Sequence, residues 1–263
     1  APGWARKVFP DEPEDRAVEK LWDAIYHTMR VDLPDPQGVW KAHTQDLLDR
    51  GKALNESGVV SLRIRSGLGT DLTMDLVQNP VWAGGASATV GGVFFNANMP
   101  TEEVFTAPHR AGVNGKVVAS MPLNYQGSLI DGFSFTLKDG LVVDYAAEQG
   151  KEALELMLAA DEGCKRLGEV ALVPYCSLIQ ETGILFYSTL YDENASCHIA
   201  LGSAYASCSQ GALEMTPEER KAAGINESVS HVDFMFGTPD LSVVGVRADG
   251  STLQIFKDGQ WAF

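Results

Sequence analysis

The sequence predicts an α+β fold: a largely antiparallel, barrel-like β-sheet system, preceded by a helical pair and accompanied by a few packing helices. Two observations predict it. Residues 11–54 place apolar side chains at helical spacing, whereas from Gly58 onward the chain breaks into short β-rich runs separated by glycines and turn dipeptides. The expected division is a helical lead-in over residues 1–56 and a β-rich body over residues 57–263.

In chain order, D-E-P-E-D at 11–15 offers carboxylates and Pro13 for a helix N-terminus, and Ala17, Val18, Leu21, Trp22, Ile25 and Met29 then form one stripe. Asp35 and Pro36 punctuate, and Val39 to Leu54 reads as a second helix with Trp40, Leu47, Leu48 and Leu54 inward. His27 and His43 on these helices read as structural or surface residues. The runs V-V-S-L-R-I-R, D-L-T-M-D-L, V-F-F-N, G-K-V-V-A-S-M and F-S-F-T-L-K follow, with turns signalled at Asn114-Gly115 and Asp139-Gly140. G-L-G-T-D-L at 67–72 lacks the lysine and long helix of a phosphate loop, so it reads as a turn entering a strand.

Lys151 to Leu167 predicts another helix, ended by Gly163 and Gly168 before the apolar strand E-V-A-L-V-P. That strand starts with Glu169, and a carboxylate at the mouth of a buried strand needs a partner. A short exposed helix is expected at 217–224, and two strands about Asp249-Gly250 and Asp258-Gly259 close the chain.

At 263 residues the chain can bury a sizeable core. Its net charge of −15 argues against a nucleic-acid or anionic-membrane partner, since both rely on basic surface. No apolar run approaches bilayer length and the N-terminus lacks the apolar core of a signal peptide, so a cytoplasmic location is expected. Cys164, Cys176, Cys197 and Cys208 form no C-x-x-C pair and suit reduced thiols.

The chemistry gathers where T-L-Y-D-E-N-A-S-C-H leads to His198 and where V-S-H-V-D-F-M-F carries His231 and Asp233. A strand's period of two puts His231 and Asp233 on one face. Imidazoles with a carboxylate are donors that zinc and its neighbours accept, although a lone strand histidine is ordinarily a core or rim residue.

Four longer stretches decide more: N-M-P-T-E-E-V-F-T-A-P (98–108), D-E-G-C-K-R-L-G-E-V-A-L-V-P (161–174), T-G-I-L-F-Y-S-T-L-Y-D-E-N-A-S-C-H-I-A-L-G-S-A-Y (182–205) and S-H-V-D-F-M-F-G (230–237). In sequence and order they resemble the aminopeptidase T and aminopeptidase S family of metallo-aminopeptidases. The resemblance implies a metal-binding catalytic domain over 57–263, with the metal ligands Glu103, Glu169, His198, His231 and Asp233. It also implies two divalent cofactor ions (Zn, Co or Mn), a peptide substrate with a free N-terminus, and a homodimer. Members are longer, and the match is to their C-terminal two-thirds, so the family's N-terminal α/β domain is expected to be missing here.

Among the ligands, Glu169 is the expected bridge. Glu102 and Glu103 are adjacent, so their side chains diverge; Glu103 is taken as ligand and Glu102 as general base, with a merely supporting or exposed Glu102 as the alternative. The tyrosine matching Tyr205 is an active-site residue in the family, and its phenol suits an oxyanion, although an isolated tyrosine is more often core. Asp192, Glu193 and Asn194 read either as a satisfied turn or as counter-charge for a substrate ammonium. Cys197 and His198 face opposite sides of a strand and form no catalytic dyad. The functional expectation is a metal-dependent aminopeptidase. The alternatives are a catalytically weak metal-binding module and a metallohydrolase acting on a non-peptide amide.

Overall fold

The computed structural model describes residues 1–263. The two predicted lead-in helices form at Glu14–Thr28 and Pro36–Glu56, joined by an unanticipated helix at Pro2–Val8. Asp35 caps the longer helix by accepting from the Gly38 N–H, with Pro36 in the first turn. Two expected inward residues sit outward instead: Trp22 is 43% exposed and Leu48 36% exposed, because each falls at the margin of its apolar stripe. The lead-in does not form a separate core. Leu47 and Leu54 belong to the main hydrophobic cluster, while Ala17, Leu21 and Ile25 pack with Ile179, Phe186 and Tyr191 from far along the chain.

Two antiparallel sheets dominate the body. The larger has eight strands and runs from Leu141–Ala146 at one edge, through the central Asp71–Leu76 and Val59–Arg65, to Gln260–Trp261 at the other. Its edge strands do not pair with each other, so the expected barrel is an open sheet. G-L-G-T-D-L is a turn entering a strand, as its composition predicts. The helix expected over 151–167 ends at Leu158; a 3-10 turn at Gly163–Lys165 and an extended stretch take its last residues.

The smaller sheet orders its strands His231–Met235, His198–Gly202, Leu167–Leu172, Val104–Thr106 and Ala83–Gly84. Val170, Ile199, Leu201 and Phe234 point from one of its faces into the main cluster. Phe234 meets Phe133 and Phe135 at ring-centroid distances of 5.4 and 5.3 Å, which joins the two sheets. The other face carries the residues between these, since side chains alternate along each strand. Those residues are Glu169, His198, His231 and Asp233.

Candidate metal centre

Strand register brings the four together. Glu169 pairs with Ala200, which pairs with Asp233, while Gly202 pairs with His231. Ala171 pairs with both His198 and Phe105, and Glu103 lies two residues before Phe105. Paired residues share a face and so do residues two apart, so four side chains from three strands converge with Glu103, which immediately precedes a fourth. A register shift between Leu167 and Glu169, centred on Gly168, aims the Glu169 carboxylate. Only glycine fits there, because a Cβ at 168 would collide with the Ser203 carbonyl.

The distances are short. His198 Nε2 lies 3.0 Å from Glu103 Oε2 and 3.7 Å from Glu169 Oε1. His231 Nε2 lies 3.6 Å from Glu169 Oε2 and 3.4 Å from Asp233 Oδ1. Glu103, Glu169 and His198 form one donor group, and Glu169, His231 and Asp233 a second, with donor atoms in each within 4.8 Å of one another. Glu169 belongs to both.

The imidazoles are held from behind. His231 Nδ1–H donates to the Ser203 carbonyl at 2.7 Å, and His198 Nδ1 faces the Ser196 carbonyl at 3.3 Å. With Nδ1 protonated, each Nε2 turns a lone pair toward carboxylate oxygens, so acceptor faces acceptor unless a cation stands between. Protons are one such cation. Burial opposes charge on both rings, but the facing carboxylates outweigh it, holding His198 well above the usual imidazole range and His231 up at about 9. Burial also pushes Glu169 up. Asp233 Oδ1 is buried without a hydrogen-bond partner. A divalent ion in each donor group resolves all of these conflicts at once, so the residues fit metal.

These donors open onto a cleft of about 490 Å³, walled on the far side by residues 83–87, Ala97 and Asn98. Tyr205 lines it from the loop after the strand, its ring 5.4 Å from that of His231 and 54% exposed. Glu193 reaches the same cleft, and burial pushes its carboxyl up to about 8. Asp192 does not reach it: its carboxylate accepts from the N–H groups of Phe186 and Ser188 at 2.7 and 3.0 Å, the satisfied turn expected of it. Cys197 faces the opposite side from His198, as alternation requires, and burial pushes its thiol up to about 12.

Glu102 is turned away from the cleft. Its carboxylate takes a two-pronged hydrogen bond from Arg30, at 2.6 and 2.9 Å, and lies 3.5 Å from His43 Nε2. It lines a separate depression together with both. The divergence of the adjacent glutamates is so complete that the expected base stands on the other face of the chain from the water it would serve.

Residues 1–261 match the model of the family described as thermophilic metalloprotease (M29). The chain belongs to the M29 family. It is 47% identical over 262 residues to Aminopeptidase 2 of Geobacillus stearothermophilus, covering 100% of this chain and 63% of that relative. Aminopeptidase T of Thermus aquaticus is 46% identical over 260 residues, covering 99% and 63%. Wild-type AmpT from Thermus thermophilus superposes with a TM-score of 0.93 at 43% identity, over 100% of this chain and 63% of that structure. This M29 chain thus spans 63% of the length of the relatives it matches. No helix in it is long and apolar enough to cross a membrane.

One residue behind the centre has a measurable acid signature. Asp161 accepts from the Cys164 and Val229 N–H groups and from the Ser228 hydroxyl, and so ties down the loop that delivers His231. Burial opposes its charge, but these bonds hold it at about 2. An unfolded aspartate titrates near 3.9, so the lowered value contributes stability in full above about pH 4 that is lost as pH falls through 2. The stability difference between this chain and its Asp161→Asn variant is therefore expected to close across that window in denaturation curves. A gap that stays constant would detach the carboxylate from the loop.

Proposed function

We propose that the chain is the metal-binding part of an aminopeptidase that removes the N-terminal residue of a peptide by water attack at a two-metal centre. The observation that carries this reading is the membership of Glu169 in both donor groups, the arrangement a bridging carboxylate needs. Two imidazoles and three carboxylates would hold the ions, and Zn, Co and Mn all accept such a mixed donor set. Bound divalent ions supply a water of lowered pKa and a Lewis acid for the scissile carbonyl.

The chain's own groups do the rest. Ser203 and Ser196 carbonyls orient the imidazoles. The Tyr205 hydroxyl, at the mouth of the cleft, donates a hydrogen bond to the oxyanion as the carbonyl becomes tetrahedral. Glu193, held up at about 8 by burial and by the neighbouring carboxylates, would ionise once cations offset those carboxylates and then provide counter-charge for the α-ammonium, a role Asp192 cannot share because two backbone N–H groups occupy it. The names of the relatives support a peptide with a free N-terminus as substrate.

Free-amine peptides are expected to be cleaved and their N-acetylated forms spared, with chelation stopping turnover and added metal restoring it. Glu193→Gln should raise KM for free-amine substrates by about 10- to 100-fold, the loss of one charge-assisted contact, with metal content unchanged. Equal rates on free and acetylated peptides would replace the exopeptidase reading with an endopeptidase or a general amidase.

A further inference from the structure

The peptide just ahead of the metal-facing Glu103 is held at three points by groups from distant parts of the chain. His43 Nε2–H donates to the Thr101 carbonyl at 2.8 Å. The Glu102 N–H donates to Asn194 Oδ1 at 2.7 Å, and Asn194 is itself fixed by donating to the Leu190 carbonyl at 2.9 Å. The Glu102 side chain is gripped by both terminal nitrogens of Arg30. Arg30 is only 9% exposed and Glu102 4%, so the pair is not a loose surface contact. The guanidinium also lies over the Trp40 ring, 5.3 Å from its centroid, and Trp40 Nε1–H donates to the Met29 carbonyl at 2.6 Å.

Arg30 reaches this position by an unusual backbone route. It stands just past the end of helix Glu14–Thr28 with a φ of 58°, a left-handed conformation that a non-glycine residue adopts at a cost. From there its side chain forms the fork on Glu102. The Thr101–Glu102 peptide is held at both its carbonyl and its N–H, the Glu102 side chain is gripped, and Val104 on the far side is paired with Leu172 in the sheet, so the intervening Glu103 has little freedom to rotate and its direction is fixed. Glu103, the next residue, is thereby presented to His198 Nε2 at 3.0 Å.

We infer that Arg30 and Glu102 are positioning residues for the Glu103 carboxylate, through which the N-terminal helices govern one half of the metal centre. This rests on the two-metal reading given above. Neither residue touches the cleft, and the Glu169, His231 and Asp233 group gains nothing from them directly.

The test is a Co²⁺ or Zn²⁺ binding titration of the whole chain, with bound metal counted after desalting, for the unaltered protein, Arg30→Lys, Glu102→Gln and the double variant Arg30→Met with Glu102→Met. Loss of an outer partner to a metal ligand typically lowers affinity about 10- to 100-fold. That drop is expected at one of the two sites in every variant, with the second site unchanged. Lysine should not rescue, since a single ammonium cannot reproduce the fork. The double variant leaves no unpaired buried charge, so it keeps the fold while lacking the grip. Variants that retain both affinities, or lose both equally, overturn the inference while leaving the two-metal reading intact. An unaltered chain that binds no metal overturns that reading and the inference with it.

Discussion

Replacing Glu169 with Ala is expected to strip both metal ions from the chain at once, whereas Glu103→Gln or Asp233→Asn weakens one site and leaves the other measurable. The asymmetry follows from geometry. One Glu169 oxygen lies 3.7 Å from His198 Nε2 and the other 3.6 Å from His231 Nε2, so this single carboxylate serves both donor groups. Losing a ligand should exceed the 10- to 100-fold penalty of losing an outer partner, so affinity at each site is expected to fall by more than about 100-fold. Removing a buried carboxylate also leaves His198 and His231 with fewer partners, so the variant's fold should be checked by circular dichroism before its metal is counted. Retention of one ion at full affinity by Glu169→Ala would show that the two donor groups do not share this residue.

Ala200→Leu is expected to abolish metal uptake without touching a single ligand. Ala200 stands in the cross-strand row between Glu169 and Asp233, fully buried, on the face that carries both. Its methyl is what leaves room between the two carboxylates. Three further carbons there would occupy the space the ions need, and overpacking of a tight site costs about 1–3 kcal/mol in stability. Metal content per folded chain should therefore drop to background, with a modest fall in melting temperature. The control is Ala171→Ser, a small change in the neighbouring row, which should keep both ions. A leucine variant with two ions at normal affinity would move the centre away from this row.

Much of the centre is visible in local sequence because strands have a period of two. H-V-D places His231 and Asp233 on one face, C-H places Cys197 and His198 on opposite faces, and E-E sends Glu102 and Glu103 apart; each of these holds in the structure. The helical lead-in was equally legible, from apolar spacing and from the Asp35-Pro36 start. The edges were less so. Trp22 and Leu48 lie at the margins of their stripes, where burial depends on whichever element packs alongside, and the open edges of the large sheet depend on strand curvature that no short run encodes.

By itself, then, the sequence determined the α+β class, the strand and helix periods and the set of residues able to bind metal, since each follows from backbone chirality and the chemistry of individual side chains. Only the tertiary structure decided which of two adjacent glutamates faces His198 in the cleft. That choice is made by Arg30, seventy-two residues before Glu102, and by Asn194, ninety-two after it. Only the tertiary structure, likewise, put Glu169 between the two histidines, through a bulge at Gly168 and the register of three strands. Alternation along a strand fixes that two neighbours point oppositely, but which side becomes the cleft and which the interior is set by what packs against each face.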